Sequence, residues 1–394
     1  MTGGFHVASS EDIRGGRVTD VYFVRGREIL RALGRDPHVV AEVRAASLPH
    51  EWPWALLAGM EEVLILLEGR GVDARALPEG SVFYPEEPVL ELAGPYLAFG
   101  ELETALLGFL SQASGIATAA ARCKFASGGR PVYSFGARRM HPAITPMVER
   151  SAYIGGCDGV ATIPGAELVG TSPVGTMAHG LVLMLGEEEA WRGFDRVIDP
   201  RVPRVALIDT FQDEKFGAAA AARVLGERLA GVRLDTPASR RGNFAAILRE
   251  VRWELDRQGF SQVRLFCSGG IDEQRILELN RYADAYGVGG SISNASVVDF
   301  AMDIVEVDGE TRAKRGKMSG RKHFWACSEC GNRGLAPAVT KLGDCPRCGH
   351  RVSSLLETTL ARGTAKRATK PAREIRQFAL DQVARAPRAF PAEE

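Results

Sequence analysis

The residues of this 394-residue chain with the most defined chemistry lie near its C-terminal end: Cys327-x-x-Cys330 followed by Cys345-x-x-Cys348, each second cysteine preceding a glycine. Two such turns can present four thiolates to one tetrahedral Zn²⁺, with the glycines relieving crowding where backbone amides approach sulfur. The separation of the pairs falls just under the ~15–20 residues usual for such ribbons. Four thiolates leave no open coordination position, so the expected metal is structural. His323 and His350 flank the cluster and are not needed as ligands.

A second group recurs at the ends of short apolar runs. Ser268-Gly269-Gly270 and Gly287-Val-Gly289-Gly290-Ser291 follow two such runs. Successive glycines let backbone amides turn toward an anion, so the pair of loops predicts a phosphate site. Arg138, Arg139 and Arg233, with Asp209 and Asp235, end other runs. Arginines there can neutralise phosphate or carboxylate, while the acids can hold Mg²⁺ or stabilise a developing positive charge. Taken singly, each also reads as an exposed ion pair. His179, in Gly175-Thr-Met-Ala-His179-Gly180, reads equally as catalyst or hydrogen-bonding support. Cys123, Cys157 and Cys267 have no base beside them and read as core. No P-loop pattern occurs.

The elements that must position these residues alternate. Strands are expected at 132–135, 205–209, 232–235, 263–267 and 285–288, with helices at 142–154, 216–229, 243–258 and 273–281. Such alternation predicts a parallel sheet covered by helices. A doubly wound sheet and a barrel both satisfy it. Polar and glycine residues gathered at strand C-terminal ends favour an α/β barrel with its site at one mouth. Residues 1–115 mix helical stretches such as 54–69 with extended ones and read as an α+β domain, joined by a returning segment at 300–320; a long helical pattern from 101 to 124 leads out of it. The barrel is expected at 116–299, the ribbon at 321–356, and a basic tail with a short helix at 357–394.

Composition agrees with a globular chain: 45% hydrophobic, 25% charged, 49 basic and 49 acidic residues. The balance is uneven, since residues 311–394 hold 18 Lys and Arg against 7 Asp and Glu. No charged-then-apolar leader precedes Phe5, and aliphatic runs such as 63–67 fall far short of the ~18 residues of a membrane helix. A cytoplasmic protein with no membrane partner is the expectation.

Five segments together resemble the nicotinate phosphoribosyltransferases, of the type II phosphoribosyltransferase superfamily that includes nicotinamide and quinolinate enzymes. They are Thr19 to Tyr22; Phe135-Gly-Ala-Arg138-Arg139-Met-His141-Pro142; Gly155-Gly-Cys-Asp158-Gly159 through His179; Leu207-Ile-Asp209-Thr210-Phe211; and Ser268 to Asp272 with Gly287 to Ser291. With its cysteine ribbon the chain looks closest to the shorter archaeal and bacterial branch. The resemblance implies phosphoribosyl transfer from phosphoribosyl pyrophosphate to nicotinate in NAD salvage, on an irregular α/β barrel beside an N-terminal α+β domain.

It also implies a head-to-tail homodimer or dimer-based oligomer, with the pyridine ring between Phe135 and Tyr22 of the second copy. Arg138 and Arg233 match basic positions near carboxylate and phosphates, and Arg139 belongs to the same segment. Asp209 and Asp235 match acids near sugar and pyrophosphate, where Mg²⁺ acts. Asp158 lies near the position that contacts the amide in nicotinamide enzymes. Ser268, Gly269, Gly270, Gly289 and Gly290 match the 5′-phosphate cradle. In ATP-coupled relatives the histidine matching His179 is transiently phosphorylated. Gly269 stands where nicotinamide enzymes carry an acid, and strand-end lysines, which a quinolinate enzyme uses for its second carboxylate, are scarce apart from Lys215. An alternative of another class is a nucleic-acid-binding ribbon with a basic tail, although few aromatics beyond Phe324 and Trp325 are available for stacking.

Overall fold

The computed structural model describes residues 5–366 and 369–386. Two compact units emerge, one formed by residues up to 118 together with 296 onward, the other by 119–295.

The first unit is built on a seven-stranded sheet in the order Glu310–Thr311, Phe300–Val307, His38–Ala45, Pro88–Pro95, Asp73–Ala76, Glu357–Ala361, Thr364–Ala365. His38–Ala45 is an interior strand: Val39 through Ala45 are all buried, so neither face can be given to solvent. It pairs antiparallel with Phe300–Val307, Val43 opposite Met302, and with Pro88–Pro95, Val43 opposite Leu90. Residues 357–361, expected to begin a basic tail, are instead a strand pairing antiparallel with Asp73–Ala76. The Thr-rich, β-branched composition there favours a strand, and an open edge was waiting for it. The helix of the tail is Ala372–Arg385, burying Ile375, Ala379 and Val383.

The helical stretch expected at 54–69 divides into a strand, Ala55–Leu56, and a helix, Met60–Leu67. Gly59 makes the break: its φ is +87°, and a Cβ there would lie 2.5 Å from the Phe109 carbonyl oxygen. The helical run Tyr96–Ala126 is long and apolar enough to cross a membrane, contrary to the count of aliphatic runs. Ala, Gly and Ser make up the difference, and 67% of its apolar window is buried, as in a core helix.

Basic residues leading into the ribbon and within it pair with acids of the same unit. Lys322 Nζ donates to both Glu42 carboxylate oxygens at 2.9 Å and to Gly320 O at 2.8 Å. Lys317 pairs with Asp303 at 3.1 Å, and Arg321 with Glu91 at 3.5 Å. Arg333 pairs with Glu87 at 2.8 Å while lying against the rings of Tyr84 and Phe324.

The second unit is mixed α/β with a curled, half-barrel sheet of six strands, all neighbours parallel: Gly159–Val160, Val132–Ser134, Ala285–Val288, Arg264–Cys267, Leu229–Leu234, Arg204–Leu207. The two-residue strand Gly159–Val160 is too short to register as a pattern in sequence. Capping side chains start the crossover helices. Asp213 accepts from Lys215 N at 3.0 Å, Asn243 from Ala246 N at 3.1 Å and Asp272 from Arg275 N at 2.8 Å. These set the helices Glu214–Leu225, Phe244–Arg257 and Glu273–Leu279. Cys123, Cys157 and Cys267 are buried in this unit, and burial pushes the Cys123 and Cys267 thiols up.

Candidate active site

Because the strands are parallel, their C-terminal ends meet at one rim, and the polar residues there converge. Arg233, near the end of Leu229–Leu234, donates from Nε to Ser268 Oγ at 2.9 Å and from Nη1 to Thr176 Oγ1 at 3.1 Å. Its Nη2 lies 3.1 Å from Asp235 Oδ2. Ser268 passes the chain on, donating to Asp235 Oδ1 at 2.7 Å. His179 stands between two rim residues, its Nδ1 3.1 Å from Thr210 Oγ1 and its Nε2 3.5 Å from Asp235 Oδ2.

Asp209 is held by the neighbouring strand end. Its Oδ2 accepts from Asp235 N at 2.6 Å and from Thr236 Oγ1 at 2.9 Å, while Oδ1 is buried with no partner among the described residues. Burial raises its pKa, opposed by those two hydrogen bonds. An unpaired carboxylate oxygen beside a second carboxylate suits a hard cation.

Phe135 closes one side. The Arg233 guanidinium lies 5.5 Å from its ring centroid, and Gly287 leaves the ring its place, since a Cβ there would approach it to 2.5 Å. Gly269 and Gly270 have φ of +79° and +65°, and a Cβ at Gly269 would lie 2.8 Å from Asp235 O. Ser291 Oγ donates to Ile271 O at 2.9 Å, tying the two glycine loops together. The resulting cleft, about 690 Å³, is lined by Phe135, Arg138, Arg139, Arg233, Asp235, Ser268, Gly269, Gly270, Gly289 and Gly290 among others. An adjoining space of about 870 Å³ reaches Thr176, Met177 and His179. Arg138 and Arg139, on the single turn Ala137–Arg139, are exposed and form no ion pair among the described residues. The site therefore combines a flat aromatic face, free cations, paired acids and a glycine-walled recess. That set fits an anionic ligand with a planar ring.

Most residues expected from sequence meet here, but two do not. Asp158 precedes Gly159–Val160, at the amino ends of the strands. It accepts from Lys124 Nζ at 2.7 Å and Val132 N at 2.9 Å, so it ties strand starts together and does not line the cleft. Tyr22 belongs to the other unit, 60% exposed on the helix Val21–Ala32, with its ring 4.3 Å from that of Phe23. Sequence reasoning missed Thr176, Thr210, Thr236 and Glu214; Thr236 Oγ1 lies 2.5 Å from Glu214 Oε1. A signal existed for two of them, because Asp209-Thr210 and Asp235-Thr236 repeat one dipeptide at two strand ends.

In the first unit the Sγ atoms of Cys327, Cys330, Cys345 and Cys348 lie within 4.8 Å of one another, a set that can hold a metal. The two turns are built alike. Gly331 N donates to Cys327 O at 3.1 Å and Gly349 N to Cys345 O at 2.8 Å, with φ of +69° and +73° at the glycines. A three-stranded sheet, Arg333–Pro337, Lys322–Cys327, Val352–Ser354, carries them. Neither His323 nor His350 joins the cluster.

Residues 20–114 match the quinolinate phosphoribosyl transferase N-terminal domain, and 116–303 the C-terminal domain of the same family. A nicotinate phosphoribosyltransferase of Mycobacterium tuberculosis is 32% identical over 256 residues, covering 62% of this chain and 55% of the relative. The chain thus spans about half the length of that relative. A second from the same organism is 31% identical over 360 residues, covering 80% of this chain and 76% of the relative. The crystal structure of nicotinate-nucleotide pyrophosphorylase from Pyrococcus furiosus is 52% identical with a TM-score of 0.95, covering 98% of both chains. The human nicotinic acid phosphoribosyltransferase structure, 21% identical, shares the fold with a TM-score of 0.77 over 94% of both chains.

Proposed function

Because the chain belongs to the nicotinate phosphoribosyltransferases of the quinolinate phosphoribosyl transferase family, we propose that it transfers a phosphoribosyl group from phosphoribosyl pyrophosphate to the ring nitrogen of nicotinate, releasing pyrophosphate. The observation that carries this reading is the cleft in which the Phe135 face, Arg138, the Arg233–Asp235 pair and two glycine loops open onto one recess.

Nicotinate stacks on Phe135, and Arg138 faces its carboxylate. Gly269, Gly270, Gly289 and Gly290 surround the 5′-phosphate, with Ser268 fixing the Arg233–Asp235 pair beside it. Asp209 and Asp235 would hold Mg²⁺, which supplies charge neutralisation of the departing pyrophosphate. The anomeric carbon becomes positive as that group leaves. Carboxylates already fixed by Ser268, by Thr236 and by the Asp235 amide stabilise that charge without reorganising. His179, between Thr210 and Asp235, is the residue through which ATP coupling would act. Exposed Tyr22 completes the ring site of a second copy in a head-to-tail homodimer. Arg139 adds positive charge at the rim. The four-cysteine set holds Zn²⁺ structurally, and its reduced thiols suit the cytoplasm.

Nicotinate is favoured over quinolinate because no lysine lines the cleft among the described residues, where the resemblance places lysines for a second ring carboxylate. The nucleic-acid reading is weakened by the ion pairs of Lys317, Arg321, Lys322 and Arg333, which commit part of the basic segment to acids of the same unit. The test is product formation by metal-replete protein given phosphoribosyl pyrophosphate and Mg²⁺ with nicotinate, nicotinamide or quinolinate, each with and without ATP. Nicotinate mononucleotide from nicotinate is the expected result. Absence of nucleotide from all three pyridines would overturn the reading, and the ATP arms decide the role of His179.

A further inference from the structure

Arg241 is 5% exposed, yet no carboxylate pairs with it among the described residues. Two other buried arginines of its unit each sit on a carboxylate, Arg122 on Glu273 and Arg204 on Asp195. A buried cation with no carboxylate in direct contact is costly, and a bound anion would lower that cost.

Its surroundings say where that anion sits. Arg241 ends the turn Ala238–Arg241 and rests 4.4 Å above the Phe244 ring. Nη1 donates to Gly269 O at 2.7 Å and reaches Thr236 O at 3.4 Å. Nε and Nη2 make no hydrogen bond among the described residues and are not sealed from solvent, so they are open to a ligand or water. Nη2 lies 3.9 Å from where a Cβ of Gly270 would stand, so the guanidinium is directly behind the glycine loop that lines the cleft. Burial, and then the like charge of Arg275, work against the protonated form, while the more distant charge of Asp235 favours it and an anion in the recess would add to that.

We infer that Arg241 is a positioning residue for a sugar phosphomonoester. It holds the Gly269 peptide by its carbonyl and supplies the positive charge behind the recess between the two glycine loops. This rests on the phosphoribosyl transfer proposed above, and it adds a residue outside the cleft lining. The guanidinium acts through the loop, so it governs affinity for phosphate-bearing ligands and leaves the pyridine end untouched.

Isothermal titration with ribose 5-phosphate and, separately, nicotinate tests this on wild type, Arg241→Met, Arg241→Gln and Arg241→Lys. Gln keeps a donor for the Gly269 carbonyl but no charge, and it decides the matter should the Met variant fail to fold. Loss of a charge-assisted contact predicts ribose 5-phosphate binding weakened on the order of tenfold to a hundredfold in Met and Gln. Lys recovers part of it, nicotinate binding is unchanged, and KM for phosphoribosyl pyrophosphate rises more than kcat falls. A folded Met or Gln variant that binds ribose 5-phosphate as wild type does would overturn the inference. Arg241-dependent ribose 5-phosphate binding in a protein that makes no nucleotide would leave it standing and remove only the proposed reaction.

Discussion

At the scale of single residues, Asp235 is the hub: Arg233, Ser268 and His179 all reach its carboxylate, and its amide holds Asp209. Asp235→Asn keeps the shape but removes the charge facing the reacting sugar. Nucleotide formation should fall by roughly two to three orders of magnitude in steady-state kcat with the protein still folded. Glu103, in the other unit, gives a pH signature. Burial, followed by the charges of Asp303 and Asp20, pushes its pKa to about 7. A carboxyl raised in the fold binds a proton that the unfolded chain has released. Its contribution is therefore complete below about pH 4, the ordinary range of a glutamate, and is lost as pH climbs through 7. Urea unfolding of Glu103→Gln should then gain on wild type by on the order of 1–2 kcal/mol between pH 5 and pH 9, and parallel curves would contradict it. Ser268, Asp209 and Asp235 were legible because they end apolar runs. Arg241 was not, since Ser239-Arg240-Arg241-Gly242 looks like a solvated turn and only the fold reveals that one arginine is buried. The placement of Asp158 was not legible: it starts a strand, where it accepts from the amide of Val132 and from Lys124.

At the scale of elements, the spacing of adjacent strands shapes the ring site. Ala285–Val288 runs beside Val132–Ser134, with Gly287 opposite Tyr133, and the missing side chain at Gly287 is what the Phe135 ring fills. Gly287→Ala forces the ring aside. KM for the pyridine should rise at least about tenfold while ribose 5-phosphate still binds, a separation that titration of both ligands reads directly. Strand and helix identities in this unit could be read from alternation because buried parallel strands are short apolar runs bounded by helix caps. The other unit was less legible. Its antiparallel strands come from distant parts of the chain, and nothing local to residues 357–361 announces that their partner is Asp73–Ala76.

At the scale of the molecule, the ribbon is an insertion between two strands of one sheet. The chain leaves the side formed by Phe300–Val307, makes both cysteine turns, and returns as Glu357–Ala361 beyond three intervening strands. A metal closing the turns would hold that crossing in place. Purified protein should carry about one Zn²⁺ per chain, by the four-thiolate stoichiometry. Stripping the metal, or Cys345→Ser, should speed hydrogen exchange across 322–361 while the slow amides of the six-stranded sheet keep their rates. The strand order also bears on how the protein is made. All strands of the parallel sheet lie between residues 132 and 288, so that sheet can be assembled while translation is still under way. The seven-stranded sheet begins at His38 and is incomplete until Ala365 has left the ribosome, so the sheet that starts first is finished last. Until then Asp73–Ala76 is an unpaired edge on a nascent chain, and that interval is when aggregation or chaperone capture would compete with folding.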